Sequence, residues 1–559
     1  MKKKYTLWNY VCVTGILWFL IALILGTYFK CFYLNYDGRM KFEIKTLKDI
    51  EDVVMWSMLF WGFVVLRNVM HSGDSKPIGF FTWLEKYKYE PPTMSARQRK
   101  AQYPPINEDF LSKQPDGLIL GKCKNKYVTY PLTGLSAIVI GLPGSGKSTL
   151  LLSTLIHQLH IKKKRKIKNT FFVLDVKPEL LRKSTFPWMK NVRELSIQDR
   201  SKYGWDIYFN INSNSSDDEI LAELDVIARA LIDAGKNEKN EFFYQSARTI
   251  FKFVCFADYK KGRSFIQSID HLMEVDLEKL IPDVIGLADG NPELIKVRKG
   301  LSAYAGKEGE AFQGISLAFH ETLEIFQKDD TKAFFDASPY KKKLSPQTLE
   351  EQINIYFTIK TTKLKENKTI VKLVVAQLIH ALEDRDEDSD SYITLCIDEA
   401  YKIGLIKEWI DFISVCRSKK TSVILLFQSL SQIMSVCSKE DADALTEMVG
   451  AICVLSCRSE ATTKMICNWA GEYYEESINT NCGGKNAGTY SRSYQQKKIL
   501  QPSDLMSLRK DGEAILFLNG EYARVKINGA QYFNIKVIND ISTKCVAAHK
   551  SLNRKFKKH

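Results

Sequence analysis

The sequence lacks the cysteine patterns that build zinc sites or disulfide frameworks. Its twelve cysteines are scattered over 559 residues, without a CxxC pair or a CxxC…HxxxH array. This pattern excludes a zinc-finger protein and a small disulfide-rich domain, and it indicates reduced thiols in the cytosol. Cys453 and Cys457 would form a metal pair if they shared one helix face, with core packing as the ordinary alternative.

Internal repeats are also absent, and acidic residues are fewer than basic ones. The chain has 80 Lys and Arg against 65 Asp and Glu, a formal net charge of +15. This excess favours a polyanionic partner, either nucleic acid or an anionic membrane face. Hydrophobic residues make up 45% and charged residues 26%, which excludes a disordered chain and a polytopic membrane protein. The length suits about two to four domains.

Two apolar runs lie in the first 70 residues. Residues 7–29 carry no charge, and as a helix they would span roughly 34 Å, enough for a bilayer core of about 30 Å. They lack the short apolar core and the cleavage site of a signal peptide. Residues 53–66 form a shorter run, whose length also suits a buried core helix. A second crossing here would return the chain to the cytosol, where the nucleotide motif described below needs to be. We predict a transmembrane anchor of two helices in residues 1–70.

The remaining chain reads as a linker followed by an α/β domain. Residues 71–115 are polar and rich in proline, which is typical of a linker. From residue 116 onwards, apolar β-like runs alternate with helical patterns, as a parallel α/β sheet requires. The β-like runs are residues 137–140, 170–174, 353–359, 393–397, 422–427 and 451–455.

Helical periodicity replaces the β pattern between residues 215 and 335. We therefore predict one α/β domain in two parts, residues 116–214 and 336–539, interrupted by an all-α domain at residues 215–335. Residues 540–559 are predicted to be a mobile basic tail. Basic clusters at residues 162–168 and 341–343 are either contacts to a nucleic acid or solvated loops.

Residues 141–148, GLPGSGKS, match the Walker A pattern and stand between an apolar run and a helical sequence. The glycines let backbone N–H groups surround phosphate oxygens, and the helix N-terminus adds partial positive charge. Lys147 is predicted to neutralise the β- and γ-phosphates of ATP, and Ser148 to ligate Mg²⁺. The predicted nucleotide-binding residues are Gly141, Gly144, Ser145, Gly146, Lys147, Ser148 and Thr149.

Residues 392–399, YITLCIDE, have the Walker B form, an apolar strand that ends in two carboxylates. Asp398 is predicted to hold Mg²⁺, directly or through water. Glu399 is predicted to polarise the attacking water as general base. The alternative is a strand followed by an acidic helix cap.

Two further polar residues follow the Walker B segment. Gln428 ends the apolar run SVILLFQ, where it would sense the γ-phosphate or orient water, and Arg417 stands in CRSKK. An arginine there would reach a neighbouring subunit's nucleotide as an arginine finger. The alternative for each is an ordinary surface or turn residue.

Together these segments resemble the conjugative coupling proteins of type IV secretion systems, the TraG/TraD group within the FtsK/HerA motor superfamily. DGLILGK (residues 116–122) resembles the stretch that leads into this family's Walker A strand. Residues 398–433 resemble its Walker B, arginine and glutamine block, and residues 499–527 its C-terminal strand region. DVKPEL, starting at Asp175, departs from the family's DPKGEL, which leaves the roles of Asp175 and Lys177 open.

The resemblance implies a RecA-like P-loop domain that uses ATP and Mg²⁺, with Glu399, Arg417 and Gln428 as catalytic residues. It implies a homohexamer at the inner (cytoplasmic) membrane, with the ATPase domain in the cytoplasm. The implied partners are single- or double-stranded DNA with an attached relaxase-like protein, and secretion-channel components. The alternatives are an ATP-dependent receptor for secreted effector proteins and a DNA translocase not linked to secretion.

Overall fold

The computed structural model describes residues 32–34, 40–42 and 96–556, apart from residue 116 and residues 162–167, 200–201, 234–240, 307–308, 337–341 and 481–489. The apolar runs at residues 7–29 and 53–66 lie outside this part. Within it, no helix combines the length and the apolar character needed to cross a membrane. The chain forms two compact units, Met1–Ala96 and Arg97–His559. Strands β1 (Phe32–Leu34) and β2 (Met40–Phe42) of the first unit pair antiparallel.

The second unit contains a twelve-stranded mixed sheet and two separate two-stranded sheets. Its strands are β3 (Leu111–Ser112), β4 (Leu118–Cys123), β5 (Lys126–Tyr130), β6 (Ala137–Ile140), β7 (Lys168–Asp175), β8 (Val192–Leu195), β9 (Gly204–Trp205), β10 (Lys343–Leu344), β11 (Asn354–Thr358), β12 (Ser391–Ile397), β13 (Thr421–Phe427), β14 (Ala451–Val454), β15 (Glu472–Thr480), β16 (Tyr490–Lys498), β17 (Glu513–Leu518) and β18 (Glu521–Lys526).

The large sheet has a parallel part and an antiparallel part. Seven strands run parallel in the order β14-β6-β13-β12-β7-β11-β8, and this part contains all six β-like runs of the sequence. Beyond β14, strands β17, β18, β4, β5 and β3 continue the sheet antiparallel. The sheet is therefore mixed, and the sequence predicted only its parallel part. Hairpins supply two of these pairings, β4 with β5 and β17 with β18, because a tight turn such as Asn519-Gly520, with positive φ at both residues, joins antiparallel neighbours.

Both faces of the parallel part are covered. Along β6, Ile138 and Ile140 belong to one apolar core, whereas Ala137 and Val139 belong to another. A strand that is buried on both faces has no polar side to alternate with, which explains the continuous apolar run in its sequence.

The helices are α1 (Ala96–Gln102), α2 (Lys147–Ile156), α3 (Glu179–Ser184), α4 (Asp217–Leu231), α5 (Glu241–Lys260), α6 (Phe265–Glu274), α7 (Leu277–Gly286), α8 (Ile295–Leu301), α9 (Glu310–Leu323), α10 (Asp329–Phe335), α11 (Gln347–Glu350), α12 (Thr361–Leu364), α13 (Lys368–Glu383), α14 (Ile406–Val415), α15 (Leu430–Val436), α16 (Lys439–Met448), α17 (Glu460–Ala470), α18 (Pro502–Asp511) and α19 (Lys536–Phe556). Shorter 3₁₀ or π turns lie at Glu108–Phe110, His157–Ile161, Pro292–Leu294, Ser302–Tyr304, Glu324–Gln327, Ala400–Lys402 and Tyr532–Asn534.

Helices α4 to α10 form a helical insertion between β9 and β10. These two strands pair in parallel, so the chain leaves and re-enters the α/β part at one place. Capping boxes at Ser216 and Ser264 begin α4 and α6, and they satisfy backbone N–H groups at the N-terminus of each helix. Phe265, Phe326 and Phe335 contact one another in the buried core of the insertion.

One prediction about the C-terminal half does not hold. The tail after residue 539 is helical as far as Phe556, and Ile538 and Cys545 of this helix are buried. It packs against α3, with His549 Nε2 lying 3.1 Å from the carbonyl oxygen of Thr185. Cys453 lies in β14 rather than on a helix shared with Cys457, and both are buried, as core packing requires.

Candidate nucleotide-binding site

The Walker A segment forms a tight loop between β6 and α2. Gly141 follows the strand and donates its N–H to the carbonyl of Phe427 at 3.0 Å. Gly146 caps α2 with a φ of 105°, a left-handed conformation that a side chain strains. A Cβ on Gly146 would also lie 2.8 Å from Gln531 Nε2. The loop conformation and its close packing therefore both require glycine at this position.

The loop opens into a cleft of about 630 Å³. The carboxyl ends of β6, β7, β12 and β13 lead to this cleft, because residues that follow these strands line it. The lining residues are Pro143, Gly144, Ser145, Gly146, Lys147, Ser148, Thr149, Lys177, Glu179, Thr361, Asp398, Glu399, Lys402, Gln428, Arg509, Ile527, Asn528, Gln531 and Phe533. The cleft lies at the N-terminus of α2, the end of a helix that favours anions.

Lys147 is a buried cation between backbone oxygens and carboxylates. Its Nζ donates to the carbonyl of Gly141, and lies 3.5 Å from that of Leu142. Burial lowers the pKa of Lys147, while the nearby charges of Glu399 and Asp398 act in the opposite direction. The ammonium group thus stands where the Walker A and Walker B segments meet.

Asp398 is almost fully buried beside the same loop, at 5% exposure. Burial, followed by the charges of Glu399 and Asp175, raises its pKa to about 6, although Lys147 and Lys177 oppose this rise. A nearby divalent cation would stabilise the charged form of a carboxyl group that is buried in this way. In the part of the chain that the structure describes, no group of three His, Cys, Asp or Glu side chains is placed to hold a metal.

The oxygen donors in the cleft nevertheless fit Mg²⁺. This ion binds hard oxygen ligands, and in nucleotide sites it takes one or two from the protein and the others from water and phosphate. The Ser148 hydroxyl and the Asp398 carboxylate line the same cleft and supply that donor set.

Glu399 is held by two neighbours. Gln428 Nε2 donates to both of its carboxylate oxygens, at 3.1 and 3.0 Å, and Lys402 Nζ lies 3.5 Å from Oε2. Gln432 in turn accepts a hydrogen bond from the backbone N–H of Gln428 at 3.1 Å. The backbone of Glu399 has a φ of 53°, a left-handed conformation that non-glycine residues seldom adopt.

The DVKPEL segment forms a turn that places Lys177 and Glu179 in the cleft wall. Buried Asp175 accepts hydrogen bonds from the N–H groups of Lys177, Glu179 and Leu181, at 3.4, 3.3 and 2.9 Å. Burial raises the pKa of Asp175 to about 6, although these N–H groups lower it. Asp175 thereby shapes the turn that brings Lys177 and Glu179 to the cleft.

Arg417 lies away from this cleft. It is exposed in the turn before β13, and its backbone packs against Gly134, which precedes β6. Both residues lie at the amino ends of parallel strands, whereas Gly141 and Gln428 follow the carboxyl ends of the same strands. The seven residues of β13 separate the two edges by roughly 20 Å. The structure therefore brings together every other predicted site residue, while Arg417 has no access to the phosphates of its own subunit.

The candidate basic clusters have different outcomes. Residues 162–167 and 341 lie outside the described part, whereas Lys168 begins β7 and Lys343 lies in β10. The Nζ of Lys343 is 3.9 Å from Asp206, a loose and partly exposed ion pair.

Residues near the C-terminus complete the cleft, and the sequence reasoning missed them. Arg509 at the end of α18 lies close to Gly144, while Gln531 approaches Gly146. Ser153 of α2 donates to the carbonyl of Ala530 at 2.8 Å, which ties this C-terminal segment to the Walker A helix. Arg509 lies within residues 499–527, whose family resemblance assigned it no role, and both residues stand more than 350 positions after the loop that they approach.

Comparisons with known proteins place the chain in a family and support its fold. The family model described as "Type IV secretory system Conjugative DNA transfer" matches residues 94–555. No curated protein matches the chain. Among solved structures, the unbound bacterial conjugative coupling protein TrwB, lacking its first 70 residues, is similar with a TM-score of 0.58 and 14% identity, over 78% of this chain and 91% of the other.

Two nucleotide complexes of TrwB are also similar. The complex with a non-hydrolysable ATP analogue has a TM-score of 0.54 and 16% identity, over 72% of this chain and 87% of the other. The complex with ADP and Mg²⁺ has the same score and identity, over 72% and 86%. These likenesses show a shared α/β fold with a helical insertion. Since the family model spans most of the sequence, the chain belongs to the type IV secretion family of conjugative DNA transfer proteins.

Proposed function

We propose that the chain is a membrane-anchored ATPase that recruits DNA, or DNA with attached protein, and pumps it into a type IV secretion channel. The observation that carries this proposal is the single cleft that unites Lys147, Asp398, Glu399 and Gln428. A P-loop beside two carboxylates and a glutamine is the set of groups that phosphoryl transfer from ATP to water requires.

Different groups of the chain bind the phosphates, hold Mg²⁺ and accept the proton during hydrolysis. Backbone N–H groups of the loop and Lys147 bind the terminal phosphates, whose negative charge they offset. Ser148 and Asp398 would hold Mg²⁺, which when bound supplies positive charge to the phosphate oxygens. Glu399 accepts the proton of the attacking water, and Gln428, bonded to both carboxylate oxygens, keeps that base in position.

The remaining parts of the proposal rest on family and sequence. Residues 1–70 would anchor the protein in the inner membrane, and the net charge of +15 suits a phosphate backbone contacted without sequence preference. TrwB, to which the chain is similar, is described in its structures as a plasmid coupling protein that binds nucleotides. A homohexamer around a basic pore would bring Arg417 of one subunit to the nucleotide of the next.

The direct test is the ATPase rate of the full chain with different candidate substrates. We expect single- or double-stranded DNA to raise the rate severalfold, with an effect that falls as salt increases, because phosphate contacts release counterions. Stimulation by a secreted protein, with no response to DNA, would instead support the receptor alternative. Stimulation by DNA in a protein that never associates with secretion-channel components would support the translocase unlinked to secretion.

Arg417 gives a test of the assembled state. Arg417→Ala should bind ATP with parental affinity, because the residue lies at the opposite edge of the sheet from its own cleft, but should lose assembly-stimulated hydrolysis. Mixing it with Lys147→Ala subunits should restore part of the activity, since a Lys147→Ala subunit donates the arginine to an intact cleft. Co-assembly without any recovery would show that Arg417 does not act across the interface. Lys419→Ala, in the same turn, is the matched control.

A further inference from the structure

We propose that Arg509 is a further catalytic residue, a cation that each subunit supplies to the terminal phosphates of its own ATP. The inference rests on the proposed ATPase function. It adds a charged group that belongs to neither Walker motif and to neither of the two polar positions that follow the Walker B strand.

The position of the guanidinium carries the inference. Arg509 lines the cleft, and its Nη2, Cζ and Nη1 atoms lie 3.5 to 3.8 Å from the point where a Cβ on Gly144 would stand. Gly144 is in the Walker A loop, three residues before Lys147, which is predicted to meet the β- and γ-phosphates. A guanidinium against this stretch of the loop is within reach of the bond that hydrolysis breaks.

The backbone that carries Arg509 is fixed in place. Leu505 and Leu508, on the inner side of α18, are fully buried. Gly512 ends the helix with a φ of 63° and packs so closely on Asn528 that a Cβ would lie 1.9 Å from Nδ2. The carbonyl of Gly512 also accepts the N–H of Ile527 at 2.9 Å. The adjacent residues Ile527 and Asn528 of the cleft wall therefore hold the end of this helix.

The charge of Arg509 is not used elsewhere in the described part of the chain. The side chain is exposed, and it makes no ion pair or hydrogen bond with any residue that the structure describes. By contrast, Lys402 faces Glu399, and the charges of Asp398 and Glu399 act on Lys147. A free guanidinium on the wall of a phosphate cleft offers planar, two-pronged hydrogen bonding to phosphate oxygens, and it keeps its charge throughout the reaction.

The proposed role fits the chemistry of the step. Water oxygen bonds to the γ-phosphorus while the bond to the β–γ bridging oxygen breaks, and ADP leaves with that electron pair. The proton of the water goes to Glu399. Negative charge grows on the leaving oxygen, where a fixed cation stabilises the transition state more than the ground state.

Arg509 and Arg417 would then act on one nucleotide from two different subunits. Arg509 is on the wall of its own cleft, whereas Arg417 lies at the far edge of the sheet, so only the latter needs a second subunit. This difference separates the two roles experimentally.

The first test compares Arg509→Ala, Arg509→Lys and Lys510→Ala in the full chain. We expect Arg509→Ala to lower kcat by on the order of 10²-fold, with an unchanged melting temperature. Arg509→Lys should recover part of kcat, because it restores charge without the planar fork. Lys510→Ala changes the exposed neighbour outside the cleft and should leave kcat within about twofold of the parent. A kcat for Arg509→Ala equal to that of Lys510→Ala would overturn the proposal.

The second test assigns the arginine to its subunit by mixing. Assemblies of Arg509→Ala with Lys147→Ala should stay inactive, since no subunit then carries both an intact loop and its own Arg509. Assemblies of Arg509→Ala with Arg417→Ala should recover, because Arg417→Ala subunits keep their cleft and receive Arg417 from a neighbour. Recovery in the first mixture would overturn action within one subunit. Absence of ATP hydrolysis in the parent and in Lys510→Ala would instead refute the proposed function itself.

Discussion

Replacement of Lys147 by alanine should abolish ATP binding and hydrolysis while the protein remains folded. Lys147 is 9% exposed, and its ammonium group donates to the carbonyl of Gly141, near the charges of Asp398 and Glu399. Without it, the triphosphate would enter a cleft that keeps both carboxylates but has lost the cation between them. Like charges at such short distances oppose binding strongly in a buried site.

The measurement is nucleotide binding together with thermal unfolding. ATP stabilises a protein that binds it, by about 2.7 kcal/mol at a concentration 100 times Kd, so ATP should raise the Tm of the parent and leave Lys147→Ala unchanged. Lys363→Ala serves as the control, because this exposed lysine pairs with Glu366 outside the cleft. ATP hydrolysis by a folded Lys147→Ala protein would remove the basis for the P-loop assignment.

The parallel part of the sheet was predictable because burial on both faces leaves a continuous apolar signal. The run at residues 137–140 coincides with β6, and the run at residues 393–397 lies within β12. Walker A required a strand before it and a helix after it, and α2 begins at Lys147 as that pattern predicts. The helical period between residues 215 and 335 likewise corresponds to α4 through α10.

The antiparallel extension was not predictable from local sequence. Strand β4 pairs with β18, which lies about 400 residues later, and no short-range pattern specifies such a pairing. The hairpin of β15 and β16 is mainly polar, so it lacks the apolar alternation that marks a half-buried strand. The C-terminal helix did carry a signal, since Ile538, Ile541 and Cys545 follow helical spacing, but the surrounding basic residues suggested a mobile tail.

The site also contains residues that the sequence predicted and residues that it did not. Residues within motifs, such as Lys147, Asp398 and Glu399, are found together because strand ends of a parallel sheet meet at one edge. No pattern in the sequence assigned a role to Arg509 or Gln531, and the tertiary packing of α18 and of the segment after β18 brings them to the loop. Domain boundaries and the membrane anchor stay predictions.

Substitution of Glu399 by glutamine should separate ATP binding from hydrolysis. Glutamine keeps the shape of the side chain but has no carboxylate to accept the proton of water. General-base catalysis of this kind contributes about 10²- to 10⁴-fold to the rate. It also places an amide NH₂ group against Gln428 Nε2, which now donates to both oxygens of Glu399. The base would thus be lost together with one of the two hydrogen bonds that restrain it. Lys147, Ser148 and Asp398 would still bind the nucleotide and Mg²⁺.

The two effects are measured by equilibrium binding of ATP and by single-turnover hydrolysis. We expect the Kd of Glu399→Gln to stay within a few fold of the parent, because the groups that meet the triphosphate are unchanged, while kcat falls by the factor expected for a lost base. Glu408→Gln makes the same chemical change on the exposed face of α14 and should leave both constants unchanged. Hydrolysis by Glu399→Gln at the parental rate would show that another group takes the proton. Asp398, already buried beside it with a raised pKa, would then be the first residue to examine.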